Sequence, residues 1–197
     1  AAVSHEMARA AGSECMCGGQ TLDIEAAGRS LDVAALRQLH AYKTGAPLTA
    51  AAVRGGMVGG ATAAGLVALG AYGDAVGLAF QVVDDLLDCT ATQDERGKPV
   101  LSDLKEGKLT LPLILLLPRI DIARRCKIDC VLEDRGFERV SPSEILEIVH
   151  GEGTLDEASE MASVQAEEAC RELSFFPSSP PRAALGYAPS FIRNRVS

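Results

Sequence analysis

Three acids stand close together in an otherwise apolar stretch: Asp84, Asp85 and Asp88 follow Phe80, Gln81, Val82 and Val83. On a helix, residues four apart share a face and the next residue lies roughly 100° around. Asp84 and Asp88, with Asp85 beside them, can therefore grip one hard cation such as Mg2+. Like charges at this spacing repel one another unless a cation or a basic partner is present. The bland alternative is a solvated helix end carrying ordinary acids. The surroundings favour the first reading, because Lys43 and Thr44 precede Gly45 at an expected helix bend, and Lys98 and Lys108 follow the aspartates. A metal held by carboxylates beside lysine ammonium groups is what a diphosphate needs: the metal bridges its oxygens and the lysines neutralise the rest. Each lysine alone reads as a surface residue. Together with the acids they point to an anion and its metal.

The elements that must position these residues read as helices. Aromatic residues make up 4% of the 197, there is no Trp, and Ala, Leu and Gly abound. That composition favours an all-α domain packed closely through small residues. A first helix is expected from Ala1 to about Ala26, with Met7, Ala11 and Cys15 on one face and a Gly18–Gly19 pair that lets another backbone or a ligand approach closely. After a turn at 27–30, Asp32 is the expected N-cap of a helix running toward Ala52, bent at Gly45 and Pro47. A further helix from about Leu66 to Cys89 carries Leu69, Val76, Phe80, Val83 and Leu87 at helical spacing. Thr90 to Lys108 is the longest segment without apolar periodicity, the kind of loop that is usually functional or disordered. Beyond it come a short apolar helix after Pro112, a basic patch (Arg119, Arg124, Arg125, Lys127) and a helix opened by Ser141, with Glu144 three residues on forming a capping box. The last helices are expected at 155–173 and about 182–195, separated by the Pro-rich turn 177–181. No repeat or linker divides the chain, which reads as one domain over 1–197.

Nineteen basic against 27 acidic residues give a formal charge of −8, which argues against a partner bound by neutralising nucleic-acid phosphates. The six cysteines lack paired C-x2-C spacing and read as reduced thiols in a cytoplasmic protein. The first residues lack the order of a signal peptide. One stretch, Gly55 to Gly73, runs 19 residues without a charge, but its seven glycines make it a poor bilayer span. A buried pair of helices broken near Ala64 and Gly65 accounts for the same residues, so no membrane span is expected. The run Leu109–Leu117, ending at Pro118, reads as a core helix.

These residues together resemble a known family. The run from Phe80 to Asp88, followed by Gly97, Lys98, Asp103, Leu104, Gly107, Lys108, Thr110, Leu111 and Pro112, resembles the second aspartate-rich region of the trans-isoprenyl diphosphate synthases. Lys43, Thr44 and Gly45 resemble that family's Lys-Thr-Gly element, and Cys17 to Asp23 resemble its Gly-Gln helix. The three elements stand in the family's order, and the first half is nearest the bacterial farnesyl and geranylgeranyl diphosphate synthases.

The resemblance implies an all-α helical bundle of the isoprenoid synthase type and a homodimeric prenyltransferase that joins an allylic diphosphate to isopentenyl diphosphate. It implies that Asp84, Asp85 and Asp88 hold Mg2+ on the allylic diphosphate, and that Lys43, Lys108 and Lys98 contact its oxygens. Thr44 and Gln81 would sit beside the breaking carbon–oxygen bond, and Gln20 and Asp23 would line the same cavity. The family also carries a first aspartate-rich motif ahead of the Gly-Gln helix, and nothing here supplies it. The expectation is a C-terminal half, its N-terminal helices missing, that is inactive alone. Two other readings are a non-catalytic subunit of a heteromeric synthase and a membrane protein built on 55–73. The intact aspartate cluster argues against the subunit.

Overall fold

The computed structural model describes residues 2–90 and 99–195, and every regular element among them is helical. These residues form two compact units. The first gathers the described parts of 1–23, 37–83 and 161–197; the second gathers those of 24–36 and 84–160.

In the first unit the expected opening helix is two. α1 (Ala2–Ala11) stops at Gly12, and α2 (Met16–Glu25) starts after a tight turn in which Cys15 N–H donates to the Gly12 carbonyl at 3.1 Å. Gly and Ser at 12 and 13 are weak helix formers, and the turn satisfies backbone groups that a continuous helix would have paired internally. α3 (Val33–His40) starts in residues of the second unit, where Asp32 caps it, its carboxylate accepting from Ala35 N–H at 2.7 Å, and belongs to the first unit from Arg37 on. The chain then widens into a π-helical turn, Ala41–Gly45, closed by Ala46 N–H on the Ala41 carbonyl, before α4 (Ala46–Val58). Pro47 explains the widening: it has no N–H to return to the carbonyl four residues back, and its ring crowds that position.

The uncharged stretch is a broken pair of helices, but it is not buried throughout, since Met57, Val58 and Val67 are 37%, 78% and 73% exposed, and the break falls at 59–62, ahead of Ala64 and Gly65, where Gly60 takes a φ of 76°. α5 (Ala63–Thr90) is, among the described residues, the one helix long and apolar enough by composition to cross a membrane, and 56% of its most apolar window is buried. Leu69, Tyr72, Val76, Ala79 and Val83 form the stripe it turns to the core. The C-terminal part of α10 (Thr154–Leu173) and all of α11 (Pro180–Arg193) complete this unit, where Tyr72 donates its hydroxyl to the Leu185 carbonyl at 2.9 Å.

In the second unit, α6 (Ser102–Lys105), α7 (Leu111–Leu116), α8 (Ile122–Asp134) and α9 (Pro142–Gly151) bury Leu101, Leu104, Leu113, Leu116, Ile128 and Ile145 completely. Leu101 and Leu104 lie in the stretch expected to lack apolar order; two leucines three apart are enough to seat one helical turn. The part of that stretch at 91–98, Lys98 included, lies outside the described residues. The capping box forms as read, Ser141 and Glu144 each accepting from the other's backbone N–H. The basic patch is held in ion pairs: Arg119 with Glu157, Arg124 with Glu152 at 2.8 Å, Arg125 with Asp129 at 4.0 Å and Lys127 with Glu144 at 2.7 Å.

One close approach in the first unit yields a test. A Cβ on Gly77 of α5 would lie 2.6 Å from the Cα of Gly45, so the helix backbone can reach the π-helical turn only without a side chain. Gly77→Ala is expected to cost about 1–3 kcal/mol. Gly151→Ala, with nothing within 4 Å of the new methyl, is expected to be neutral or stabilising. Urea denaturation of both variants measures the contrast.

Candidate active site

In the first unit the candidate residues gather around the π-helical turn. Lys43 sits in its middle, and Gly19 of α2 presses against it, since a Cβ there would come within 2.7 Å of the Lys43 Cα. That contact brings Asp23, one turn along α2, under the lysine: Lys43 Nζ donates to Asp23 Oδ2 at 2.9 Å, with the two side chains 33% and 12% exposed. Asp23 thereby holds the ammonium in one place and leaves a third of the side chain facing out. Thr44 follows it, half-buried, while Gln20 is exposed on α2 and Gln81 is half-buried on α5. Beside Gln81, the ring of Phe80 carries the Arg195 guanidinium 5.5 Å from its centroid. In the sequence Arg195 reads only as a helix end, because a lone arginine gives no signal of its contact.

In the second unit the three aspartates are placed differently from one another. Asp88 is fully buried, and its Oδ1 accepts from Ser102 Oγ at 2.9 Å and Ser102 N–H at 3.1 Å. Asp85 is 8% exposed, and its Oδ2 accepts from Leu111 N–H at 2.9 Å. Asp84 is the half-buried member. Burial drives the Asp85 carboxyl well above the usual carboxylate range, against the Leu111 hydrogen bond, and the charges of Asp103, Asp84 and Asp88 push it further. Asp103 is thus a fourth acid in the cluster, present in the motif as quoted but without an assigned role. Lys108 pairs with Glu106 at 3.3 Å.

No group of three ligating side chains among the described residues is arranged as a cage for a metal. The donor set still fits Mg2+, which is bound by one or two carboxylates plus substrate phosphate oxygens and water rather than by an all-protein cage. Asp84 offers a part-exposed hard oxygen, and a cation beside it would offset the charges of Asp103, Asp84 and Asp88 that add to the effect of burial on Asp85.

Residues 4–149 match the family model described as polyprenyl synthetase. The chain belongs to the polyprenyl synthetase family. It is 40% identical over 111 residues to the farnesyl diphosphate synthase of Geobacillus stearothermophilus, covering 56% of this chain and 37% of that one. It is 35% identical over 182 residues to the short chain isoprenyl diphosphate synthase of Methanothermobacter thermautotrophicus, covering 91% and 55%. Its structure matches a polyprenyl synthase from Caulobacter crescentus CB15 complexed with calcium and isoprenyl diphosphate, at a TM-score of 0.89 and 29% identity over 99% of this chain and 59% of that one. The all-α isoprenoid synthase fold expected from the sequence is therefore the fold observed. The chain spans between 37% and 55% of the two curated relatives it matches here.

The aspartate-bearing end of α5 also carries Cys89, which is 1% exposed. Burial, then the charge of Asp88, pushes its thiol up to about 12. At pH 8 its thiolate fraction is on the order of 10⁻⁴, so Cys89 is expected to resist iodoacetamide in the folded chain while exposed Cys126 reacts. Peptide mass spectrometry after a timed pulse reads this, and equal labelling of the two would mean that the end of α5 is open.

Proposed function

We propose that this chain carries the allylic-diphosphate part of a trans-prenyltransferase, an enzyme that condenses an allylic diphosphate with isopentenyl diphosphate, and that it works as a homodimer. The observation that carries the reading is the acid cluster at the end of α5, where Asp84 and Asp88 of that helix and Asp103 of α6 add their charge around the buried Asp85 carboxyl. A cation offsets the mutual repulsion of such a cluster, and a diphosphate would bring its oxygens to that cation. The calcium and isoprenyl diphosphate in the Caulobacter relative's structure support the same chemistry.

In this reading Asp84 supplies the direct carboxylate contact to Mg2+, with Asp85 and Asp88 fixing the helix end behind it. The metal, when bound, neutralises diphosphate oxygens and so favours their departure from the allylic carbon. Lys43 and Lys108, with Lys98, act as point charges on the remaining oxygens. Lys43 is suited to this because Asp23 already restrains it, which lowers the entropy lost on binding. Thr44 and Gln81 place oxygen lone pairs beside the allylic cation as the bond breaks, and Gln20 lines the approach with Asp23. The proton lost after condensation goes to the departed diphosphate, so no histidine or cysteine is required.

Asp84→Ala is expected to weaken Mg2+-dependent diphosphate binding by at least about tenfold, a conservative share of the several kcal/mol a metal contact supplies. Cys126→Ser is expected to leave it unchanged. Calorimetric titration with inorganic diphosphate and Mg2+ compares them, and equal losses count against the metal reading.

Condensation gives a second test. The family's first aspartate-rich motif is not among these 197 residues, so the chain alone is expected to incorporate no measurable labelled isopentenyl diphosphate. Adding the complementary part of a synthase, as a separate chain, is expected to restore turnover. Robust product from residues 1–197 alone would show that the first motif is dispensable.

A further inference from the structure

Two cavities flank the start of α11 in the first unit. The larger, about 570 Å3, is walled by the small residues Ala51, Ala52, Gly55 and Gly56 of α4 and floored by Leu69, Leu173 and Phe176. The smaller, about 360 Å3, has Ser178, Ser179, Cys170 and Gly186 in its lining. Leu173, Ser179 and Arg182 belong to both linings, so an apolar space and a polar one lie on either side of a single arginine. Both have room, since a Cβ on Gly55 or on Gly186 would meet nothing within 4 Å. Arg182 is held in place without being neutralised. Its Nη1 donates to the Phe176 carbonyl at 2.7 Å, and among the described residues no carboxylate pairs with it. No acidic side chain lines either cavity, and residues 174–197 hold three arginines and no Asp or Glu in a chain of net charge −8. The helix start adds no free donor there: Pro180 and Pro181 have no N–H, Arg182 N–H donates to Ser179 Oγ at 3.4 Å, and Ala183 N–H donates to the Ser179 carbonyl at 2.9 Å. The positive charge between the cavities is therefore the guanidinium itself, permanent at every accessible pH.

We propose that the two cavities form one binding site for an amphiphilic anion, a single apolar chain ending in a carboxylate or phosphate. The chain occupies the larger cavity, and the head group sits on Arg182 with the hydroxyls of Ser178 and Ser179 beside it. The division of the lining selects this class. A wholly apolar ligand would strip water from the half-buried guanidinium and return nothing to it. A small hydrated anion would leave the apolar walls of α4 and α5 uncovered. A chain with an anionic end meets both demands, covering Leu69 and Phe176 while its oxygens accept charge-assisted hydrogen bonds from the arginine. Leu69 lies eleven residues before Phe80 on α5, about 16 Å along the helix axis, so the site is separate from the diphosphate and metal contacts proposed above.

The test is calorimetric titration of the 197-residue chain with decanoate and with decyl phosphate, each below the concentration at which it forms micelles. One or both are expected to bind at one per chain, the tighter of the two naming the head group. Decanol, which has the chain without the charge, and inorganic phosphate, which has the charge without the chain, are each expected to bind at least about tenfold more weakly. Arg182→Gln is expected to weaken the tighter probe by at least about tenfold and Arg182→Lys by less. Gly55→Leu, which fills the apolar cavity from a position with open space around it, is expected to weaken it similarly, and this keeps the test valid should Arg182→Gln loosen the Phe176 turn. Asp84→Ala is expected to leave the affinity unchanged, so the outcome is separate from that of the active-site reading. Decanol binding as tightly as the charged probes would overturn the proposal in favour of an apolar pocket, and inorganic phosphate binding as tightly would overturn it in favour of a small-anion site. No binding of either charged probe, or affinities within twofold across Arg182→Gln and Gly55→Leu, would overturn it outright.

Discussion

The full burial of Asp88 is the constraint on which the second unit depends. A carboxylate removed from water is tolerable only when donors replace its hydration. Here the donors are the backbone and hydroxyl of Ser102, with Asp103 N–H at 3.4 Å, all from a segment far along the chain. The same contact ties down Leu101, whose N–H donates to the Asp88 carbonyl at 2.7 Å and whose φ of 55° a leucine ordinarily avoids. The left-handed turn persists because it drops Leu101 and Leu104 into the core, completely buried. One acid side chain thus sets where the chain re-enters the core after α5.

Asp85 extends the same arrangement. The N-cap of α7, Thr110, makes no side-chain hydrogen bond to the helix, so one of its first N–H groups would be unsatisfied. The carboxylate of Asp85 reaches Leu111 N–H instead and acts as a cap delivered from another helix. Structural and chemical demands therefore fall on different members of the triplet: two carboxylates are engaged in folding the segment behind the site, and Asp84 is left the more accessible.

In the first unit the equivalent role belongs to absent side chains. Gly19 against Lys43 and Gly77 against Gly45 let two helix backbones close on the π-helical turn from different elements. Packing this tight fixes the lysine's backbone, and Asp23 then fixes its head. The wide turn is itself a consequence of Pro47, so the placement of Lys43 follows from a missing N–H and missing Cβ atoms.

Local rules carried much of this into the sequence. Helical spacing of Leu69, Val76 and Val83, the Asp32 cap, the Ser141–Glu144 box and the bend at Gly45 and Pro47 each depend on residues within a few positions of one another, and each was readable without coordinates. So were the fold class and the identity of the acids and lysines. The break at 12–15, the helical turn at Leu101–Leu104, the pairing of the basic patch and the employment of Asp85 and Asp88 as anchors were not. Asp88 meets Ser102 and Asp85 meets Leu111 across separations that no periodicity records, and Arg119 finds Glu157 on another helix. Residue types and spacing determined which chemistry this chain has at hand. Tertiary packing decided which carboxylates are withdrawn into the core and which oxygen stays in reach of a ligand, because burial and hydrogen bonding are properties of a neighbourhood that distant segments build.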